Sequence, residues 1–195
     1  FNPSPIQRVK YNGVKFLIKR DDLIDEYFSG NKARKLSYFV ENKFTHINKI
    51  ISYGSVQSNT LLSLAALANL KQWRLDFYVQ NIPNWLANQP IGNFAKAIEL
   101  GAKVIPWKTE DVNSEHTSIN DFIQVIKGQT SKNTLFIPEG ARCKQAKSGI
   151  KQLADEIEEY CCSNRINKLL IMLPSGTGTT ALFLNSFLRH SKLEL

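Results

Sequence analysis

Hydrophobic and polar positions along the chain switch between a two-residue and a three-to-four-residue period. Val14 to Ile18, with Lys15 inside and Lys19 following, reads as a strand. Asn31 can cap a helix to about Asn42 that carries Ala33, Leu36, Phe39 and Val40 on one face. Ile47 to Tyr53 reads as a strand ending at Gly54. From Ser58 or Asn59 a helix runs to Asn69, with Leu61, Leu62, Leu64, Ala65, Leu67 and Ala68 apolar almost all round. A helix of that kind belongs in a core. Leu75 to Val79 follows as a strand, Asn81 to Pro90 as a loop, Ile91 to Leu100 as a helix closed by Gly101, and Lys103 to Pro106 as a strand. Ser118 to Lys127 predicts a helix ended by Gly128, and Thr134 to Ile137 a strand running into Pro138-Glu139-Gly140. Helix 145–162 shows Ala146, Ile150, Leu153, Ile157 and Cys161 at helical steps. The apolar run Lys168 to Leu173 predicts a strand entering Pro174-Ser175-Gly176-Thr177-Gly178-Thr179-Thr180 and a final helix. Strands alternating with helices in this way predict a parallel α/β architecture.

The chain has 195 residues, 43% of them hydrophobic, enough to bury a core. No apolar run approaches the roughly 18 residues of a spanning helix, and mean hydropathy is −0.25, so a soluble, cytoplasmic protein with no membrane partner is expected. The start, Phe1-Asn2-Pro3-Ser4-Pro5, resembles neither an initiator nor a secretory signal, and a processed or trimmed chain is expected. Net charge is +8. Residues 1–35 carry eight Lys/Arg against four Asp/Glu, so half of the excess sits there. Asp21, Asp22, Asp25 and Glu26 interrupt it, and no zinc-finger or aromatic-basic motif accompanies it. A basic pocket for a small anion fits that pattern, and no nucleic-acid partner is expected. Cys143, Cys161 and Cys162 make no disulfide framework and suggest a reducing compartment. With His46, His116 and His190 they show no metal-ligand spacing, so no metal is expected. No Gly-x-Ser-x-Gly elbow is present.

Three segments could carry chemistry. Gly176 to Thr180 combines glycines that let backbone approach a ligand with three threonine hydroxyls at a helix start, a cradle for phosphate or simply a tight turn. It lacks the Gly-Lys-Ser/Thr ending of a P-loop, but Gly176-x-Gly178-x-x-Ala181 matches the dinucleotide fingerprint, which keeps a nicotinamide-binding oxidoreductase open. In Ser29-Gly30-Asn31-Lys32-Ala33-Arg34-Lys35, Lys32 falls in the first turn of a helix beside two more cations. Both effects lower an amine pKa, as a Schiff-base lysine requires; a solvated basic face is the alternative. In Gly54-Ser55-Val56-Gln57-Ser58-Asn59-Thr60, hydroxyls and amides cluster where a strand meets a helix. That suits a substrate carboxylate, with Ser58 offering a hydroxyl for proton transfer, or ordinary helix capping.

Taken in order, Lys19-Arg20-Asp21-Asp22-Leu23, Gly30-Asn31-Lys32-Ala33-Arg34-Lys35-Leu36, Gln57-Ser58-Asn59, Pro138-Glu139-Gly140 and Gly176-Thr177-Gly178-Thr179-Thr180 resemble the pyridoxal-phosphate enzymes of the tryptophan-synthase-β fold type. The nearest branch in these motifs is the 1-aminocyclopropane-1-carboxylate deaminase and D-cysteine desulfhydrase family. The resemblance implies three-layer parallel-sheet domains: a cofactor-binding large domain from 1–54 and 139–195, only partly present, and a small domain from 55–138. It implies that Lys32 holds pyridoxal 5′-phosphate as a Schiff base and shuttles protons. It gives Asn59 to the phenolic oxygen of the cofactor and the backbone of Gly176, Thr177, Gly178, Thr179 and Thr180 to its phosphate. Gln57, Ser58 and Thr60 would face the substrate. The implied reaction converts a small amino acid to a 2-oxo acid and ammonia, in an enzyme that is a homodimer at full length. The family pattern commonly has histidine where Thr60 stands and a second glycine where Ser29 stands. The partner of the pyridine nitrogen would lie beyond this N-terminal portion, and a truncated, non-catalytic relative is the remaining alternative.

Overall fold

The computed structural model describes residues 2–28, 30–107, 119–128, 130–189 and 191; Phe1, Ser29, His116, Ser118 and His190 lie outside the described residues. The chain divides into two compact units, one of residues 42–139 and one of residues 1–41 with 140–195.

The 42–139 unit is built on a parallel four-stranded sheet. Its strands β3 (Lys49–Tyr53), β4 (Arg74–Val79), β5 (Ala102–Pro106) and β6 (Thr134–Phe136) lie in the order β5-β4-β3-β6. Ile50 pairs with Leu75 on one side of β3 and with Leu135 on the other. Parallel neighbours need long crossovers, and helices supply them: α2 (Asn59–Lys71), α4 (Gly92–Glu99) and α5 (Ile119–Gly128). Alternation on β4 puts Leu75, Phe77 and Val79 on a fully buried face, while Tyr78 on the other face meets Phe122 of α5 edge to face, 5.2 Å between ring centroids. Thr60 to Ala68 are all buried, as the all-round apolar pattern of α2 requires. The segment Asn81–Pro90, expected as a loop, holds one more element, the short helix α3 (Asn84–Asn88). Pro83 starts it and the fully buried Leu86 anchors it. Five residues are too few to display a period, so the prolines and asparagines dominated the sequence signal.

In the other unit β2 (Val14–Lys19) pairs antiparallel with β1 (Ile6–Tyr11), which sequence reading missed. Asn12 and Gly13 join them with φ of 47° and 81°, the left-handed pair of a two-residue hairpin turn. Helices α1 (Asn31–Glu41) and α6 (Ala146–Ser163) pack closely, and α7 (Thr179–Leu188) joins α6 through Ile150, Leu153, Ala154, Leu184 and Leu188. The expected strand Lys168–Leu173 does not form: beyond a bridge position at Lys168 the run is irregular. Leu170 is 86% and Met172 73% exposed. An apolar run becomes a strand only against a ladder of neighbours, and among the described residues this unit has no sheet beyond the β1–β2 hairpin.

Two features of Arg34 fix α1. Gly149 of α6 sits so close that a Cβ on it would fall on the Arg34 carbonyl oxygen and within 2.8 Å of the Arg34 carbonyl carbon. The Arg34 guanidinium, only 1% exposed, donates to both oxygens of Glu156 at 2.6 and 2.8 Å and to Asp21 at 2.8 Å. Lys19 Nζ pairs with Glu156 at 2.6 Å and donates to Ser4, whose hydroxyl donates to Asp21 at 2.6 Å. The cluster ties the hairpin, the turn at Asp21–Leu23, α1 and α6 together. Burial pushes the Glu156 pKa up, but hydrogen bonds from Arg34 and Lys19 outweigh it and hold the carboxyl below its ordinary range.

Gly149→Ala should lower unfolding stability by about 1–3 kcal/mol, although alanine is the better helix former, because backbone must move; denaturant titration reads this. Glu156→Ala should cost about 3–5 kcal/mol by stranding Arg34. A depressed carboxyl contributes stability that is present above its unfolded pKa and is lost as pH falls toward the folded one. Acid melting curves should therefore be shallower for Glu156→Ala than for the native chain through and below the ordinary carboxylate range.

Candidate functional site

The sequence-predicted residues fall on both units, and each group is local. In the 1–41/140–195 unit, α1 begins at Asn31 itself, one residue earlier than a capping Asn31 would have it, after Gly30 with φ of 51°. The Asn31 side-chain oxygen accepts from Lys32 Nζ at 3.0 Å, so the amine is held at the helix start. One turn on, Lys35 is 2% exposed and its Nζ donates to the carbonyl of Gly140 at 3.0 Å. Burial, with the charge of Lys32 adding to it, pushes the Lys35 amine down to about 8. Sequence reasoning sought a depressed amine at Lys32 and treated Lys35 only as its neighbour. The one signal for Lys35 was its spacing, three residues along the same face.

Gly140 links this amine to the glycine-threonine loop. With φ of 68°, it packs where a Cβ would stand 2.6 Å from Cγ2 and 2.8 Å from Oγ1 of Thr177. Gly140 and Thr177 therefore press together, and only glycine fits at position 140. Thr177 and Thr179 hydroxyls lie 3.0 Å apart. Gly178 precedes α7 with φ of 72°, and Leu182 N–H closes the first helical turn on its carbonyl at 2.9 Å. The N–H groups of that turn have no partner inside the helix. Gly176 and Gly178 have open space on their Cβ sides. Thr180 is 7% exposed, and its Oγ1 is buried with no hydrogen-bond partner. An orphaned buried hydroxyl is costly unless a ligand satisfies it. Donors gathered at a ten-residue helix start, with Lys35 behind them through Gly140 and no carboxylate among the loop residues, make a cradle for an anion of phosphate type.

In the 42–139 unit the second group caps α2. Ser58 Oγ accepts from Leu61 N–H at 3.1 Å, the cap role, and its own O–H proton stays available to donate. Thr60 is buried. Both ends of the Gln57 side chain are engaged: Nε2 donates to Ile91 O at 3.0 Å and Oε1 accepts from Phe94 N–H at 3.2 Å. Asn59 is exposed and accepts from Asn93 Nδ2 at 2.9 Å. Among the described residues no group of His, Cys, Asp and Glu could hold a metal ion, and no helix is long and apolar enough to cross a membrane. Cys143, next to Lys35, has its thiol pKa pushed up by burial, and all three cysteines are free.

The chain is similar to known proteins along its length. It is 27% identical to a bifunctional D-cysteine desulfhydrase/1-aminocyclopropane-1-carboxylate deaminase, mitochondrial, of Arabidopsis thaliana, over 99% of this chain and 51% of the relative. It is 26% identical to a putative 1-aminocyclopropane-1-carboxylate deaminase of Thermotoga maritima, over 92% of this chain and 57% of the relative. Among solved structures, an ACC deaminase homologue superposes with a TM-score of 0.70 at 20% identity, covering 95% of this chain and 56% of that one. No protein-family model matches. The resemblance expected from the motifs therefore holds along the whole chain, and the fold is that of these enzymes. The chain spans about half the length of the curated relatives it matches and so holds part of that fold.

A buried amine whose folded pKa lies below its unfolded value costs stability at neutral pH, and the cost fades as pH climbs from about 8 toward the unfolded lysine value. Native stability should therefore rise over that interval. Lys35→Met should remove the rise and be more stable near pH 7 by up to about 3 kcal/mol, less the loss of the bond to Gly140. Denaturant midpoints measured across pH check both statements.

Proposed function

We propose that this chain is the N-terminal part of a pyridoxal 5′-phosphate enzyme that deaminates a small amino acid of the 1-aminocyclopropane-1-carboxylate or D-cysteine type, releasing a 2-oxo acid and ammonia. The orphaned Thr180 hydroxyl in the donor-lined start of α7 carries the reading, because it is a buried polar atom that a phosphate oxygen would satisfy. The names of the relatives point to the same chemistry. The residues fit the cofactor: Gly176, Thr177, Gly178, Thr179 and Thr180 would hold its phosphate, and Lys32 would attach to it covalently. Asn59 would bond its phenolic oxygen. Lys35, through Gly140 and Thr177, sets a cation behind the phosphate loop.

When bound, the cofactor supplies an electron sink for a bond broken at or beside the substrate Cα. The protein supplies the rest. Lys32 Nζ, placed by Asn31 Oδ1, would hold the cofactor and, when not attached to it, could carry a proton. Ser58 can donate its hydroxyl proton while its oxygen caps α2, so the capping and catalytic readings of this residue are compatible. Gln57, whose amide holds the turn at Ile91–Phe94, and the buried Thr60 would lie on the substrate side. Threonine in place of the family's histidine there counts against a cyclopropane substrate.

Purified protein titrated with pyridoxal 5′-phosphate should gain a near-visible absorption band. Borohydride should fix the label on the Lys32 peptide, and Lys32→Ala should show no band. A native chain that stays colourless, or label fixed on another lysine, would defeat the proposal.

A further inference from the structure

The amide cluster at the start of α2 has an orientation that can be read without ambiguity, because backbone groups with a single hydrogen-bonding role fix each end. Phe94 N–H can only donate, so the Gln57 atom 3.2 Å from it is Oε1; Ile91 O can only accept, which puts Nε2 at the other end. The same logic applies to Asn93. The Gln57 carbonyl oxygen can only accept, so the Asn93 atom 3.1 Å from it is Nδ2. That nitrogen also lies 2.9 Å from the side-chain amide of Asn59. A donor facing Asn59 requires Asn59 to answer with Oδ1. Its Nδ2 is thereby turned away from Asn93, on a residue that is exposed while Asn93 is half-buried.

We infer that Asn93 is a positioning residue that fixes the Asn59 side chain by its oxygen and so leaves its nitrogen, the donor, available for the cofactor. This rests on the reading above, in which Asn59 bonds the phenolic oxygen. That oxygen carries negative charge and takes a donor; an amide turned the other way would set oxygen against oxygen. The chain of constraint runs from Ile91 and Phe94 through Gln57 to Asn93 and Asn59, all within the 42–139 unit. Gly92 is part of it: a Cβ there would stand 3.0 Å from Gln57 Oε1, and its φ is 61°.

The inference separates orientation from support. Removing the donor frees the Asn59 amide to take either of two orientations, which reduces apparent cofactor affinity by only about twofold. Replacing the donor by an acceptor inverts the preference, since Asn59 would then turn Nδ2 toward residue 93 and Oδ1 toward the cofactor. Losing a bond to a charged oxygen and gaining repulsion should weaken binding by roughly tenfold or more. The experiment is titration of Asn93→Leu, Asn93→Asp and Asn59→Asp with pyridoxal 5′-phosphate. It records affinity, the pH at which the near-visible band is half formed, and thermal melting. Asn93→Leu should bind within about twofold of the native chain. Asn93→Asp should weaken binding at least tenfold and move the half-formation pH in the same direction as Asn59→Asp.

Equal losses in Asn93→Leu and Asn93→Asp would mean simple structural support and overturn the inference. So would a native-like Asn93→Asp. If Asn93→Asp does not fold, Asn93→Leu decides alone, and a loss there of tenfold or more overturns it. A native chain that takes up cofactor while Asn59→Asp is unchanged would refute the inference and leave the enzyme reading standing. A native chain that takes up none would defeat both.

Discussion

Arg34 is the residue on which the first unit depends. Its guanidinium is enclosed by Glu156 and Asp21, and its carbonyl oxygen is pressed against the one position of α6 that has no side chain, Gly149. One holds the arginine by charge and the other by shape, and they act on opposite ends of it. The helix can neither slide along α6 nor roll away from it without opening one of the two. Lys32 and Lys35 are on the same helix, two residues before Arg34 and one after it. The placement of both amines is therefore inherited from a salt cluster and a backbone contact that take no part in chemistry. Buried ion clusters contribute little net stability, but losing one member strands the others, which makes such a cluster intolerant of change.

The second unit solves a similar problem with neutral groups. Its sheet and α2, buried from Thr60 to Ala68, provide the base, and the polar residues at the start of α2 are oriented by amide hydrogen bonds to the Ile91–Phe94 turn. Two kinds of positioning are thus used, a charged one beneath the lysines and an amide one beneath Asn59. In both, the residue proposed to meet the cofactor, Lys32 or Asn59, stands in the first turn of a helix, where backbone donors are unused by the helix itself.

Much of this was legible in the sequence. The strands of the four-stranded sheet and helices α1, α2, α4 and α6 follow from periodicity, and the glycine-threonine loop and Ser58 cap follow from local residue chemistry. The failures have physical causes. Helix α3, at five residues, is too short to display a period, and β1 lacks strict alternation and is announced mainly by the Asn12-Gly13 turn. The run 168–173 has the composition of a buried strand but no ladder to join among the described residues. Lys35, Asn93 and Gly149 were invisible for another reason. Each matters through a residue distant in sequence, Gly140, Asn59 or Arg34, and no local pattern encodes such a pairing.

Met172, in the run that forms no strand, is the only methionine of the chain and stands 73% exposed beside Leu170. A thioether so placed is open to peroxide, and its conversion to sulfoxide is slow wherever packing covers the sulfur. The chain therefore carries its own chemical gauge at one defined spot. The oxidation rate of a single residue, read by mass spectrometry, reports whether that apolar edge is bare or clothed in any preparation of the protein.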